Sequence, residues 1–169
     1  MAHQGAGPTL VDLCFRQAYR VAYRLMRVYW RVRRPRTRGA LVAVWNQGEL
    51  LLVRNSYVPY YSLPGGYLRR NETGRQAAIR ELAEEIGVNR SEGELELVLS
   101  EINEWEGKRD GVEIFALEVP ERPSVHIDQR EVIEAAWFAP EQALRLELFP
   151  PIRRAIELRT AAAAASPER

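Results

Sequence analysis

Apolar positions along the chain follow two periodicities, and together these predict an α/β protein. Continuous or alternating apolar runs predict strands over residues 39–45, 49–54, 95–105, 112–119 and 132–138. Between the second and third strands, Ala78, Leu82 and Ile86 recur at helical spacing and predict a helix with one buried face. Shorter helices are predicted after Pro140 and over residues 152–158.

The central helix has sequence signals at both ends. Thr73 and Gln76 have the spacing of a capping box at its start, and Gly87 is suited to end it. Upstream, Gly65 and Gly66 follow Pro64 and interrupt the preceding strand. This glycine turn is predicted to bring a backbone carbonyl close to whatever the helix binds.

The first part of the chain predicts one long basic amphipathic helix. Neither Gly nor Pro occurs from residue 10 to 34, arginines recur there mostly every three or four positions, and Pro35 ends the pattern. Residues 1–38 contain nine arginines and one acidic residue, +9 − 1 = +8, whereas the rest of the chain carries 15 − 22 = −7. Four interpretations stay open: a membrane-surface helix, an RNA-binding arm, a homodimerisation element or other partner-binding helix, or a helix that packs on its own domain and shows its arginines to water.

Length and composition limit the classes of protein that the chain can belong to. With 169 residues, of which 46% are hydrophobic and 28% charged, it suits one globular domain with a real core. Its single cysteine, Cys14, cannot form an internal disulfide, and no apolar run has the length of a membrane span. The first residues lack the pattern of a secretory signal. We therefore expect a cytoplasmic protein, with peripheral membrane attachment left open.

Three carboxylates are concentrated on the central helix. Glu81, Glu84 and Glu85 stand at i, i+3 and i+4, so a helix brings their side chains to one face. Like charges so close together repel each other, and oxygen ligands of this kind favour a hard cation such as Mg²⁺ or Mn²⁺. The alternative is an ordinary solvated Glu-rich face.

The spacing of the whole segment carries a resemblance. From Gly66 to Val88 the sequence is similar to the Nudix hydrolase signature G-x5-E-x7-R-E-U-x-E-E-x-G-U, where U is apolar, at every defined position. The resemblance implies the Nudix fold, a mixed β-sheet between helices, here preceded by the basic helix. It also implies Mg²⁺-dependent hydrolysis of a nucleoside diphosphate linked to another moiety, with Mn²⁺ as a substitute.

The resemblance also implies roles for individual residues of the motif. It assigns metal binding and water activation to Glu81, Glu84 and Glu85, with the backbone carbonyl of Gly65 as a further ligand. Arg80 matches the arginine that orients a carboxylate of the motif. The remaining positions are structural and comprise Gly66, Glu72 and Gly87. The segment departs from the commonest form at Asn71, which tolerates a left-handed backbone, and at Arg69-Arg70, where many members have an acidic residue.

Other candidate residues depend on geometry that the sequence does not supply. Asp128, Glu131 and Glu134 lie where some family members carry a general base, and Glu131 is our candidate. Arg54 and Arg69 could each meet a substrate phosphate or face solvent. Trp105 could stack on a nucleobase or cover the core.

The sequence divides into an arm (1–38), a Nudix domain (39–160) and an Ala-rich tail (161–169) that we expect to be frayed. The substrate is expected to be a nucleotide, a nucleotide-sugar or an ADP-ribose-type molecule. Two alternatives remain: an RNA 5′-end pyrophosphohydrolase that uses the basic arm, and a non-catalytic module that senses a nucleotide.

Overall fold

The computed structural model describes residues 8–127 and 129–165. The helices and strands, in chain order, are α1 (Leu10–Arg33), β1 (Arg36–Asn46), β2 (Glu49–Asn55), β3 (Tyr61–Ser62), β4 (Gly65–Tyr67), α2 (Gly74–Ile86), β5 (Glu96–Trp105), β6 (Lys108–Glu118), β7 (Val132–Phe138), α3 (Pro140–Ala143) and α4 (Pro150–Ala165).

The described strands form one mixed sheet in the order β3-β2-β1-β6-β5, with β4 added to β1 and β7 added to β2. The long central pair, β1 and β6, is parallel, whereas the remaining pairs are antiparallel. Because β4 and β2 both pair with β1, the glycine turn lies against the middle of the sheet. The predicted mixed sheet is thus confirmed.

Helices cover both faces of this sheet. On one face, Leu82 and Ile86 of α2 pack with Val42 and Val44 of β1 in an apolar core. On the other face, α4 packs against the alternate β1 positions, and its fully buried residues include Ile152 and Ile156. The period of two in a strand therefore sends successive β1 residues into different cores.

The signals at the ends of α2 are confirmed in atomic detail. The Thr73 hydroxyl accepts a hydrogen bond from the Gln76 N–H, and the Gln76 side chain accepts one from the Thr73 N–H. Gly87 ends the helix with φ 71°, and Asn71 has φ 64° in the turn before it. The left-handed conformation expected of Asn71 is therefore present.

Several predicted boundaries were wrong. Glu106 and Gly107 alone form the turn between β5 and β6, both with positive φ, so β6 begins at Lys108 and not at Val112. A register shift between Leu97 and Leu99 leaves Leu97 exposed, against the alternation expected in β5.

The C-terminal helix differs from its prediction in length. It continues to Ala165, past the predicted end at 158, because the alanines that follow are strong helix formers. The divisions at residues 38 and 160 stay predictions, and residues 166–169 of the expected frayed tail lie outside the described part.

The predicted N-terminal helix is confirmed. Thr9 caps α1, and Arg34 ends it in a left-handed conformation before Pro35. The helix packs on its own domain, and Trp30 is its buried residue. No helix in the described ranges is long and apolar enough to cross a membrane.

The orientation of α1 agrees only in part with the interpretation that it shows its arginines to water. Arg24, Arg31 and Arg33 are exposed, as that interpretation expects. Arg16 and Arg20, in contrast, donate to the backbone carbonyls of Gln129 and Ser56 in the domain. Large apolar side chains are exposed as well, among them Leu25 and Val32.

Candidate active site

The three glutamates of α2 lie beside the glycine turn. Gly65 donates its N–H to Glu85 at 2.9 Å. A Cβ on Gly66 would lie 2.6 Å from Oε1 of Glu81, so only glycine lets this carboxylate come so close to the backbone. Gly65 itself has φ 143°, and a Cβ there would overlap the carbonyl oxygen of Ala40. Gly65 is therefore needed next to the backbone of β1, and Gly66 leaves room for the Glu81 carboxylate beside the turn.

Arg80 holds several of these groups in place. Its guanidinium donates twice to Glu72, at 2.8 and 2.9 Å, and also to Glu81 at 2.5 Å. A further bond reaches the backbone carbonyl of Tyr67. Side-chain bonds from Arg80 and the N–H of Arg69 lower the pKa of Glu72 to about 2. Arg80 therefore joins Glu72 and Glu81 through charge-assisted hydrogen bonds, and the roles that the resemblance implies for Arg80 and Glu72 stay predictions.

Glu84 is the most exposed of the three carboxylates. It accepts from Arg69 at 3.0 and 3.2 Å and from Arg80 at 3.1 Å. Arg69 therefore lies at the carboxylate cluster, paired with an acidic group of the protein.

The donor set suits a hard divalent cation, although the side chains now bind other partners. In the described part of the chain, no three His, Cys, Asp or Glu side chains are close enough to hold a metal ion in this arrangement. Nevertheless, the carboxylates of Glu81, Glu84 and Glu85 share one helix face, and the cradle at Gly66 admits a carboxylate oxygen beside the backbone. Carboxylate oxygens of this kind are the ligands that Mg²⁺ and Mn²⁺ prefer.

A cavity of about 540 Å³ opens in front of the carboxylates. Its volume lies in the range typical of small-molecule sites. Its lining includes all three glutamates, Arg69, Arg80, Glu131 and Trp105. The structure thus brings most of the predicted site residues to one place.

Aromatic side chains form another part of the cavity wall. Trp105 packs on Phe149 with ring centroids 5.1 Å apart and meets Tyr60 edge to face. Tyr57 and Tyr23 of α1 lie nearby, with ring centroids 5.0 Å apart and ring planes tilted by 40°. The cavity is therefore lined by both carboxylates and aromatic rings, although Trp105 also packs against Phe149 beside the start of α4.

Glu131 lies in this cavity together with Tyr57. The Tyr57 hydroxyl lies 3.1 Å from the Glu131 carboxylate, to which it donates, and it accepts from Asn55. Burial, followed by the negative charge of Glu131, raises the pKa of Tyr57. Tyr57 is therefore a donor that orients Glu131, which agrees with the choice of Glu131 as a candidate base without testing it.

Arg54 is not part of this cluster. It donates twice to one carboxylate oxygen of Glu134, at 2.6 and 2.9 Å, and lines a neighbouring cavity. The Tyr61 hydroxyl and then Arg54 lower the pKa of Glu134. Both members of this pair are thus engaged with each other outside the cavity of the motif, and Asp128 lies outside the described residues.

The sequence analysis missed a buried ion pair in the cavity wall. Lys108 and Asp110 form an ion pair of 2.9 Å, and both side chains are buried. The Lys108 ammonium lies 4.5 Å from the ring centre of Trp30 and 4.7 Å from that of Tyr67. Residues i and i+2 of a strand lie on the same face, so the sequence would have indicated this pair if β6 had been predicted to begin at Lys108. The stretch before Val112 was instead predicted to be a turn.

Comparison with known proteins supplies an independent result. A family model described as the NUDIX domain matches residues 35–158. A provisionally named 8-oxo-dGTP diphosphatase of Bacillus subtilis (strain 168) is 44% identical over 54 residues, which are 31% of this chain and 36% of that protein. The match therefore spans only about a third of that relative.

Solved structures share the fold. The C. elegans Ap4A hydrolase in a binary complex has a TM-score of 0.66 at 22% identity, covering 77% of this chain and 99% of its own. The MutT protein from Methanosarcina mazei Go1 has a TM-score of 0.66 at 24% identity, covering 79% of this chain and 98% of its own. At these identities the likeness concerns the fold alone.

Proposed function

Since this chain belongs to the Nudix family of hydrolases, we propose that it is a Mg²⁺-dependent pyrophosphohydrolase of a small nucleoside diphosphate derivative. One observation carries the proposal: an intact set of motif carboxylates and several aromatic rings line the same cavity. The carboxylates suit a metal-bound diphosphate, and the rings suit a nucleobase.

The residues of the chain have separable tasks in this proposal. A bound divalent cation would neutralise the phosphate oxygens and lower the pKa of a coordinated water. Glu81, Glu84 and Glu85 would hold it, and Arg80 keeps two of these carboxylates on the cavity side. Glu131, oriented by Tyr57, accepts the proton of the attacking water.

The aromatic rings of the cavity support a nucleotide substrate without selecting a particular base. Rings of Tyr60 and Trp105 offer stacking surfaces that any base can use. The buried Lys108 beside Asp110 adds a positive charge near the same cavity. The named relatives add 8-oxo-dGTP and Ap4A to the substrates worth testing.

A substrate panel tests the proposal. We would follow phosphate and pyrophosphate release from nucleoside triphosphates, 8-oxo-dGTP, ADP-ribose, nucleotide-sugars, Ap4A and 5′-triphosphate RNA, with Mg²⁺ or Mn²⁺ and with a chelator. Glu85→Gln protein serves as the blank. Turnover of a small nucleotide above this blank supports the proposal, whereas exclusive turnover of RNA would favour the RNA alternative. Binding of a nucleotide without any turnover would favour a sensing module.

A further inference from the structure

We propose that α1 is a membrane-surface helix that docks on anionic phospholipid through the face turned away from the domain. This outer apolar face consists of Val11, Cys14, Ala18, Val21, Leu25, Val28 and Val32. At 3.6 residues per turn these positions form one stripe. The inference concerns binding and is independent of the reaction proposed above.

The stripe is exposed because α1 uses its other face to hold the domain. Tyr23 donates to Glu106 at 2.6 Å, Arg27 pairs with the same carboxylate at 3.3 Å, and Trp30 is buried. On the opposite side, Leu25 is 66% exposed and Val32 is 75% exposed. Such a continuous apolar surface is rare on a monomeric soluble protein and marks a site of interaction.

Positive charge borders this stripe. Arg24 and Arg31 lie along one edge and Arg33 along the other, and all three are exposed. Asp12 is the one acidic residue in 10–33, and it is on the domain side, bonded to Thr9 and Arg130. An apolar stripe flanked by arginines without carboxylates is the pattern of a helix that lies in the interface of an anionic membrane.

The same charges argue against other occupants. If a second copy covered the stripe, the bordering arginines of two helices would meet with no acidic partner. RNA would satisfy the arginines but leave Leu25 and Val28 in water. A phospholipid surface satisfies both, since acyl chains take the apolar side chains and phosphates take the guanidinium groups.

The length of α1 fits a helix that lies flat. Its 24 residues extend over about 36 Å, and no described helix is able to cross a bilayer. The domain side of α1 contributes Tyr23 and Trp30 to the wall of the catalytic cavity. Docking would therefore hold that cavity about 10 Å, one helix diameter, from the lipid headgroups.

Vesicle binding of the full chain tests this inference. The single Cys14 lies on the outer apolar face and is exposed, so an environment-sensitive fluorophore attached there reports burial in lipid. We expect a blue shift and co-flotation with vesicles of phosphatidylcholine and phosphatidylglycerol, and neither with phosphatidylcholine alone. A fluorophore at position 102 of a Cys14→Ser, Ile102→Cys protein should not shift, because Ile102 is equally exposed but lies on β5.

Neutral polar substitutions separate the stripe from simple attraction between arginines and lipid, because they leave the charge of the helix unchanged. We expect Leu25→Gln with Val28→Gln to lower vesicle partitioning by about tenfold or more, because both apolar side chains are lost from the acyl region. Ile102→Gln is the control on β5 and should bind like the wild type. Circular dichroism verifies that each variant is folded.

Three results would overturn the inference. The first is no binding to anionic vesicles, and the second is equal binding of the wild type and the Leu25→Gln, Val28→Gln protein. The third is a dimer in light scattering that these substitutions dissociate while lipid binding is absent, because a second copy would then cover the face.

Discussion

The helices α1 and α2 are both amphipathic and both begin with a Thr cap, yet they present opposite faces to the protein. α2 buries Leu82 and Ile86 in the core and turns its charged residues to the cavity. α1 turns Arg16 and Tyr23 inward and leaves Leu25 and Val28 in contact with solvent.

The surface under each helix explains the difference. Beneath α2 lies an apolar face of the sheet, with residues such as Val42 and Val44. Beneath α1 lie polar acceptors, including the backbone carbonyl of Ser56 and the carboxylate of Glu106. A helix buries whichever of its faces matches the available surface, so amphipathicity alone does not identify the buried face.

The largest effect is expected for Glu85→Gln on the charged face of α2. The amide oxygen of Gln can still accept the Gly65 N–H, so the fold should persist, while a negatively charged ligand is lost. We expect kcat to fall by roughly a thousandfold in the substrate assay. The exposed Glu157→Gln on α4 is the control. Retained turnover in Glu85→Gln would show that the charged face of α2 is not the catalytic one.

The two apolar faces can be compared by the same substitution. Leu82→Ala removes a fully buried side chain and should lower the free energy of unfolding by about 2–5 kcal/mol. Leu25→Ala on α1 should change it by less than about 0.5 kcal/mol, because the side chain is already exposed. Urea denaturation measures both. A large loss in Leu25→Ala would mean that another molecule or copy covers α1 in solution.

These two helices also show what the sequence was able to predict. Apolar periodicity located both helices. The sequence also predicted the ends of α2, which are the Thr73–Gln76 capping box and the left-handed Gly87, because helix capping depends on neighbouring residues. The orientation of α1 depends on Ser56, Glu106 and Gln129, which are far away in the chain. No local pattern contains that information.

The residues of the candidate site likewise divide into those that local sequence predicts and those whose contacts depend on distant parts of the chain. The carboxylates of α2 were predictable because three of them on one helix face need only local geometry. Arg54, at the end of a strand, was left as either a phosphate contact or a solvent-facing residue, because its pairing with Glu134 depends on how β2 and β7 align. The Lys108–Asp110 pair was missed because the turn before it is shorter than expected.

A smaller effect on activity is expected for Arg80→Lys. Lysine keeps the charge but cannot donate to Glu72 and Glu81 in the same planar geometry. We expect kcat to fall about 10–100-fold and the Mg²⁺ concentration needed for half activity to rise, as for other residues that orient metal ligands. Arg154→Lys, in an exposed pair with Glu101, is the control and should stay near the wild-type value. An unchanged Mg²⁺ dependence would argue against a positioning role.

The smallest effects compare one carboxylate near the start of each helix, Asp12 in the first turn of α1 and Glu72 just before α2. Glu72 and Asp12 each have a pKa lowered to about 2, by Arg80 and by Thr9 with Arg130 respectively. In the unfolded chain the pKa is about 4.3 for a Glu and about 3.9 for an Asp. Because both pKa values are lower in the folded protein, each carboxylate stabilises the fold at pH values above its unfolded pKa, and this stabilisation is lost as the pH falls towards 2. Glu72→Gln and Asp12→Asn should therefore each be less stable than the wild type at pH 7, with the difference shrinking towards pH 2 in urea denaturation. Only Glu72→Gln should also reduce kcat, because only Glu72 anchors Arg80. Equal loss of activity in both variants would contradict the assignment of α2 to catalysis and of α1 to docking.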